Sequence, residues 1–198
     1  MTTPVGAVSN AILVAMDGIT QKFKTLNLPA GTPHRQALDR VRTILTNDLG
    51  YRLVHTDEDR PWGAFYQIAD EEADRFLADF FPGLDPLAAR LGQPDLVVSP
   101  KILVVYPNQR LSWQYHTRRA ERWHFLTPGG YYKSPTDDQG VVHTAAAGEN
   151  VQFTTGERHR LSGSSEQYTL VAEIWQHTAP SHPSDESDIV RLADDYKR

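Results

Sequence analysis

Apolar residues recur at helical spacing early in the chain, most clearly in HRQALDRVRTILTNDLG. Thr32 and Pro33 precede this stretch as a helix start signal, and Gly50 ends it. The apolar stripe on one face consists of Leu38, Val41, Ile44, Leu45 and Leu49. Residues 1–50 are therefore predicted to form a helical N-terminal extension.

A second helical pattern, EEADRFLADFFPGLDPLAARLG, covers residues 71–92. Pro82 and Gly83 break it, and Asp85 is positioned to cap the helix that restarts after them. The run WGAFYQIA, just before this passage, has the composition of a strand. Residues 71–92 are therefore predicted to be a helical insertion between strands.

Short β-type runs separated by turn residues fill residues 96–177. They are LVV, KILVVY, LSWQYH, RWHFL, GYYK, VVHTA, VQF, HRL and YTLVAEIW. This regular spacing predicts a β-sandwich or barrel. After the polar connector TAPSHPSDES, the final DIVRLADDYKR is predicted to be a short helix. The length of 198 residues suits one domain with helical additions.

Composition narrows both the chemistry and the location. A formal net charge of -5 argues against a general nucleic-acid binder, which normally carries a basic face. The longest apolar run, AILVAM, is too short to cross a membrane and lacks the flanks of a secretory signal, so a cytoplasmic protein is predicted. Because the chain has no cysteine, any bound metal must be held by nitrogen and oxygen atoms.

One stretch, LSWQYHTRRAERWHF, groups several metal-ligand side chains. Gln114 and His116 are two positions apart, so on a strand they project from the same face. Glu121 has the wrong parity for one continuous strand, and a turn or bulge within residues 117–120 is predicted to return it to that face. His159, after a turn-like segment, is the predicted fourth ligand. Two imidazoles, a carboxylate and a carboxamide suit a borderline or hard divalent ion and leave room for water or substrate.

Other polar and aromatic residues have less specific interpretations. An alternative for the Gln-x-His pair is a set of hydrogen-bonded residues on a solvated strand face. His124 and His177 are kept as candidate pocket residues. Arg118 and Arg119 could hold a phosphate, although a solvated turn is an equal alternative for Arg118. The tryptophans predicted to be core residues are Trp62, Trp113, Trp123 and Trp175.

The spacing of the candidate ligands resembles that of the cupins. Their first motif runs Gly, five residues, His-x-His, three or four residues, Glu, and Asn108, Gln114, His116 and Glu121 follow it here. Their second motif, Pro-x-Gly-x-x-His, is matched by residues 154–159. Asn108 replaces the usual Gly and tolerates a positive φ better than most residues, so this departure is structurally mild.

Within the cupins, the sequence is similar to the C-terminal isomerase domain of type II phosphomannose isomerase/mannose-1-phosphate guanylyltransferases. RPWG at residues 60–63, PNQRLSWQYHTRRAERW at 107–123 and SDIVRLADDYKR at 187–198 carry this resemblance. It implies a mainly β cupin jelly roll, a double-stranded β-helix, over residues 51–198. It also implies an aldose-ketose isomerase that interconverts mannose 6-phosphate and fructose 6-phosphate. Departures such as Lys197 in place of Gly could have changed the substrate.

The same resemblance implies a role for each candidate site residue. One divalent metal ion, zinc first with manganese, iron, cobalt or nickel as alternatives, is bound by Gln114, His116, Glu121 and His159. Arg119 binds the phosphate or the anion that develops during the reaction. Lys101 binds the sugar or transfers a proton. The general base stays open between Lys101, His124, Glu173 and a metal-bound water.

The expected partners and the rival functions follow from this interpretation. A sugar phosphate is the expected substrate, neither nucleic acid nor membrane is an expected partner, and a homodimer is left open. A non-catalytic metal-containing sugar-binding or regulatory cupin is one rival to an isomerase of carbohydrate metabolism. A different cupin enzyme, such as a free-sugar isomerase, an epimerase or a metal-dependent oxygenase, is the other.

Overall fold

The computed structural model describes residues 22, 23 and 25–197, which form a mainly β structure. The strands are β1 Leu53–Arg60, β2 Gly63–Ile68, β3 Val98–Val105, β4 Trp113–Tyr115, β5 Arg119–Phe125, β6 Gly129–Ser134, β7 His143–Ala145, β8 Asn150–Phe153, β9 Arg158–Ser162, β10 Thr169–His177 and β11 Val190–Ala193. The helices are α1 His34–Thr43, α2 Ala73–Phe80 and α3 Pro86–Ala89, with a π-helical turn at Ile44–Asp48 and a 3-10 turn at Asp70–Glu72.

The strands form two antiparallel sheets that face one another. One sheet has the order β1-β2-β3-β10-β5-β8, and the other has the order β11-β4-β9-β6-β7. From β3 to β11 the chain changes sheet at every connection except that between β6 and β7, so residues close in sequence reach the interior from opposite sides. The predicted architecture, a mainly β jelly roll with helical additions, is confirmed.

The helices pack on the outer face of the six-stranded sheet. α1 and α2 share one hydrophobic cluster with β3 and β10, in which Val41, Phe76, Val104 and Leu170 are all fully buried. The amphipathic stripe predicted for residues 34–49 therefore faces the sheet. The division of the chain at residue 50 stays a prediction, because this cluster joins side chains from both sides of it.

The helical insertion near residues 71–92 is present between β2 and β3. The Asp85 side chain accepts a hydrogen bond from the backbone N–H of Leu87 at 2.9 Å, which is the predicted cap of α3. Residues 1–21 and 24 of the predicted N-terminal extension lie outside the described residues. No helix within the described residues combines the length and the apolar character that a membrane crossing requires.

Two strands differ from the sequence-based expectations, and both lie at sheet edges. β1 was not predicted because its sequence, LVHTDEDR, is polar and all of its residues are exposed or half-buried. The predicted C-terminal helix is wrong, since Val190–Ala193 form β11 and pair with β4. Backbone hydrogen bonding to a neighbouring strand outweighs the weak local preference of these short segments.

Candidate metal centre

The four predicted ligands converge from both sheets. Gln114 on β4 lies directly opposite His159 on β9 in the five-stranded sheet, so their side chains share one face. Glu121 lies on β5 in the six-stranded sheet. A bend at Thr117 and Arg118 lets it reach the others, as predicted. The expectation that Glu121 rejoins the same face is wrong, because the bend carries the chain into the facing sheet.

Three acceptor groups form a compact buried cluster. The Nε2 atom of His116 lies 3.0 Å from Oε1 of Glu121, and Nε2 of His159 lies 3.3 Å from Oε2 of the same carboxylate. One ligand atom from each of the three residues lies within 4.8 Å of the other two. Each residue is 2% exposed, so water does little to weaken the electrostatic interactions between these side chains.

The hydrogen bonds of the two imidazoles direct their free lone pairs at this cluster. Nδ1 of His116 is 2.5 Å from the carbonyl oxygen of Asp188, and Nδ1 of His159 is 2.9 Å from that of Glu157. Because a carbonyl only accepts, each Nδ1 carries a proton, and Nε2 is the ring nitrogen that faces the cluster. Nε2 of His159 is buried without a hydrogen-bond partner. This unpaired acceptor fits a metal ligand, and the donor set of two imidazoles and a carboxylate suits a divalent ion.

Gln114 lies beside the cluster with its amide held by two contacts. Its Oε1 accepts a hydrogen bond from the Ser112 hydroxyl at 2.5 Å, and its Nε2 lies 3.4 Å from Nε2 of His116. In this orientation the nitrogen faces the cluster. A half-turn of the amide exchanges the two atoms and presents the oxygen, which is the atom that binds a metal.

Electrostatics keep the central carboxylate ionised. Burial by itself raises the pKa of Glu121, but His116, His159 and Arg119 hold it well below the usual range. Burial lowers the pKa of His116, and the nearby carboxylate opposes that shift. A neutral imidazole beside a charged carboxylate is the protonation state that metal binding needs.

Arg119 is the principal cation beside the cluster. Its Nε donates to Oε1 of Glu121 at 2.8 Å, and its Nη2 lies 3.1 Å from Nε2 of His116. Nη1 donates to the Ser184 hydroxyl at 2.7 Å and to the backbone carbonyl of Asp185 at 3.1 Å. Most of its donors are therefore engaged within the protein, and one Nη2 hydrogen points toward the metal ligands.

A second polar group lies deeper in the same interior. Lys101 on β3 is directly opposite Glu173 on β10, and both side chains face inward. The Glu173 carboxyl accepts hydrogen bonds from the indole N–H groups of Trp123 at 2.9 Å and Trp175 at 3.0 Å. Burial, reinforced by the charge of Glu121, raises the pKa of Glu173 to about 8. A protonated carboxyl beside an ammonium group can give or take a proton near neutral pH.

These groups line one small cavity of about 70 Å³ between the sheets. Its lining includes Lys101, Gln114, Arg119, Glu121, Glu173 and Trp175, together with Glu186, Ile189 and Arg191 from the C-terminal part of the chain. The sequence-based candidates Lys101 and Arg119 therefore share a cavity with the metal ligands. The tryptophans are buried as predicted, but Trp123 and Trp175 also position a carboxyl group, which the sequence did not indicate.

Two histidines kept as pocket candidates lie elsewhere. His124 faces the outer side of β5, where Nδ1 lies 3.0 Å from Oδ1 of Asn150. His177 lies behind the cavity, with Nε2 2.9 Å from the Ser99 hydroxyl and Nδ1 accepting from the backbone N–H of Ser184. Burial, with Arg119 as the next cause, lowers the pKa of His177 to about 4. Neither ring reaches the metal cluster.

The loop of residues 178–189 supplies contacts that the sequence analysis missed. The buried Asp188 carboxylate accepts hydrogen bonds from the backbone N–H groups of Thr117 and Arg118, both at 2.9 Å, and from the Ser184 hydroxyl at 2.8 Å. Burial alone raises the pKa of Asp188, but a hydrogen bond from the Thr117 hydroxyl at 2.7 Å, together with these bonds, lowers it to about 2. The available signal was the match of SDIVRLADDYKR to a family motif. The pattern gave no signal for Ser184.

Comparisons with known proteins give similarity in structure only. No family model and no curated protein matches the sequence. Oxalate decarboxylase from Bacillus subtilis is 11% identical in sequence, with a TM-score of 0.48. The matched region covers 70% of this chain and 30% of the oxalate decarboxylase chain. Vicilin from Corylus avellana is 9% identical, with a TM-score of 0.44, and the matched region covers 62% of this chain and 32% of the vicilin chain.

A third similar structure is the BH2720 protein of Bacillus halodurans. It is 9% identical, with a TM-score of 0.39, and the matched region covers 46% of this chain and 69% of the BH2720 chain. This chain thus spans about a third of the oxalate decarboxylase chain that it matches. The site assignment rests on the side-chain geometry described above.

Proposed function

We propose that the protein is a metal-dependent aldose-ketose isomerase that acts on a sugar phosphate, with mannose 6-phosphate and fructose 6-phosphate as the first candidates. The observation that carries this proposal is the buried His116, Glu121 and His159 cluster, whose Glu121 lines one cavity together with two proton-handling groups, Lys101 and Glu173. The sequence resemblance to phosphomannose isomerase domains supplies the substrate class.

The residues of the cluster would hold one divalent ion, with Gln114 as the fourth ligand after rotation of its amide. When bound, such an ion polarises sugar oxygens and favours the negative charge of an enediolate. Zinc suits the two imidazoles and the carboxylate, and manganese, iron, cobalt and nickel suit them as well. The chain itself would orient the sugar and exclude water around it.

Arg119 would stabilise the anion that develops at the sugar carbonyl. Its Nη2 lies next to a metal ligand, and the stacking of its guanidinium over the Trp175 ring at 3.6 Å fixes its plane. Proton transfer between the two carbons would use Glu173 or Lys101, which lie opposite each other across β3 and β10. His124 is no longer a candidate base, because its side chain faces away from the cavity.

A non-catalytic metal-containing sugar-binding or regulatory cupin is the alternative. The small volume of the cavity, about 70 Å³, favours it, since a space of this size holds only a few water molecules. Turnover by an isomerase requires that the cavity open to admit a hexose phosphate.

The test is an assay of the metal-loaded protein against sugars and sugar phosphates in deuterated water. We expect deuterium at C1 of fructose 6-phosphate or at C2 of mannose 6-phosphate, detected by NMR, and none with the His116→Ala/His159→Ala protein. Binding of the sugar phosphates without exchange or isomerisation, in protein with one metal per chain, would favour the regulatory alternative.

A further inference from the structure

Lys101 is a buried ammonium group that forms its ion pair with a partly exposed carboxylate. Its side chain is 3% exposed, and its Nζ lies 2.5 Å from Oε1 of Glu186 and 3.4 Å from the centre of the Trp175 ring. Burial lowers the pKa of Lys101, and the Glu186 charge opposes that shift. A buried cation needs a counter-charge, because its desolvation is otherwise uncompensated.

Glu186 is poorly suited to be a permanent structural partner. Its side chain is 44% exposed, and it lies between two exposed neighbours, Asp185 and Ser187. The anchors of the loop, Ser184 and Asp188, are buried on either side of this exposed span. The Glu186 side chain can therefore swing into water while both anchors keep their hydrogen bonds.

Arg191 is a second cation at the same cavity, and no acidic side chain of the described residues forms an ion pair with it. It lies directly opposite Gln114 in the pairing of β11 with β4, so the two side chains share the inward face. Arg191 lines the cavity but is exposed, and among the described residues it makes no ion pair with a carboxylate and no side-chain hydrogen bond. By contrast, Arg119 has most of its donors engaged and is 2% exposed.

We infer that Lys101 and Arg191 form a subsite for a phosphate monoester, and that the Glu186 carboxylate occupies this subsite until the phosphate displaces it. The inference rests on the proposed function and adds to it the place of the phosphate group and a built-in competitor. Departure of Glu186 leaves two cations without counter-charges, which matches a dianionic phosphate better than a single carboxylate. It also enlarges an interior that is too small for a hexose phosphate.

The experiment measures the affinity of inorganic phosphate by calorimetry and by quenching of tryptophan fluorescence, to which Trp62 and Trp175 of the cavity contribute. It uses the full-length protein and, in parallel, the His116→Ala/His159→Ala protein, so that phosphate bound through a metal is recognised. We expect Glu186→Gln to tighten phosphate binding about tenfold, because a competing charge is removed from direct contact with the ammonium.

Two further variants make the prediction specific. Arg191→Gln should weaken phosphate binding about tenfold, and Glu166→Gln should leave it within about twofold, because Glu166 is an exposed acidic residue outside the cavity lining. Equal affinities in wild type, Glu186→Gln and Arg191→Gln would overturn the inference. Glu186 and Arg191 are exposed, so neither variant is expected to prevent folding.

The outcome is separable from that of the proposed function. Phosphate binding with the expected ranking, but without deuterium exchange in any sugar phosphate, would keep the subsite and reject the isomerase. Isomerisation of fructose 6-phosphate with a KM that neither variant changes would keep the isomerase and reject the subsite. Equal affinity for fructose and fructose 6-phosphate would also reject it.

Discussion

The two faces of the six-stranded sheet are built from different chemistry. β10 shows this most directly, because all nine of its residues are buried. On the outer face, Leu170, Ala172 and Ile174 belong to the cluster that includes the helices. On the inner face, Glu173 and Trp175 belong to the polar cavity. Burial alone therefore does not separate core from site.

The difference is also energetic. Apolar side chains on the outer face stabilise the fold by roughly 1.5–3 kcal/mol each when fully buried. Buried charges on the inner face, such as Glu121 and Arg119, recover their desolvation only through their mutual contacts, and replacing such networks by apolar residues is often neutral or stabilising. A buried polar network with little net contribution to stability indicates a function.

The largest expected effect is loss of the metal site. The His116→Ala/His159→Ala variant should bind no metal, whereas wild type should bind one equivalent, measured by elemental analysis after dialysis. The matched control is His124→Ala, which removes a histidine from the outer face and should keep the wild-type stoichiometry. Unchanged stoichiometry in the folded double variant would rule out the site.

Substitutions on the outer face should instead lower the free energy of unfolding. Phe76 is fully buried, and its ring centre lies 4.6 Å from that of Phe80 and 5.9 Å from that of Tyr51. Phe76→Ala should lower the free energy of unfolding by roughly 3–5 kcal/mol through the lost contacts and the cavity left behind. Urea unfolding measures this, with Phe76→Leu as the milder control. Loss of metal from the folded fraction of Phe76→Ala would show that the two faces are coupled.

The local sequence pattern predicted most of the fold, because apolar residues recur at helical spacing in the helices and in short runs in the strands, and turn residues separate these elements. It also predicted the backbone at Asn108, which has the expected positive φ of 60°. It failed at β1 and β11, since an edge strand with polar side chains has no inward stripe to reveal it. Pairing with a distant strand, which local sequence does not encode, decides such segments.

The candidate site was predictable only where spacing encodes it. The His116, Glu121 and His159 cluster followed from two short motifs. Glu186 was not found, because its contact with Lys101 joins residues 85 positions apart and no motif marks it. Long-range pairing of this kind depends on the path of the chain over the barrel rather than on periodicity.

Arg119 at the inner face and its neighbour Arg118 at the rim should differ in their effect on the reaction rate. Arg119→Ala should keep the fold and the metal but lose about 3 kcal/mol of transition-state stabilisation, roughly a hundredfold in rate, once a turned-over substrate is found. Arg119→Lys should recover only part of the rate, because an ammonium lacks the planar fork. Measurement of kcat and KM at saturating metal tests this.

Arg118→Ala is the control for this comparison. Its side chain is 21% exposed and contacts Asp185 and the backbone carbonyl of Pro183 in the loop rather than the cavity. The expected change in rate is therefore much smaller. Equal, small effects at both positions would remove Arg119 from the mechanism and favour the binding protein.

The smallest expected effect is a slope in stability with pH at Glu173, in the metal-free protein. Its pKa in the folded state is about 8, whereas an unfolded Glu titrates near its ordinary value of about 4.3. Between these values the folded state keeps a proton that the unfolded state has lost, so stability falls as pH rises, by on the order of 1 kcal/mol from pH 6 to pH 7. The fall should end above pH 8. Glu173→Gln should show no such fall, although it loses a constant amount because an amide NH₂ cannot accept from an indole N–H. Urea unfolding at several pH values gives the difference between the two proteins, and Glu166→Gln should follow wild type throughout. If wild type and Glu173→Gln changed in parallel from pH 5 to pH 8, Glu173 would be ionised in the fold and the inner face would hold one more charge than proposed.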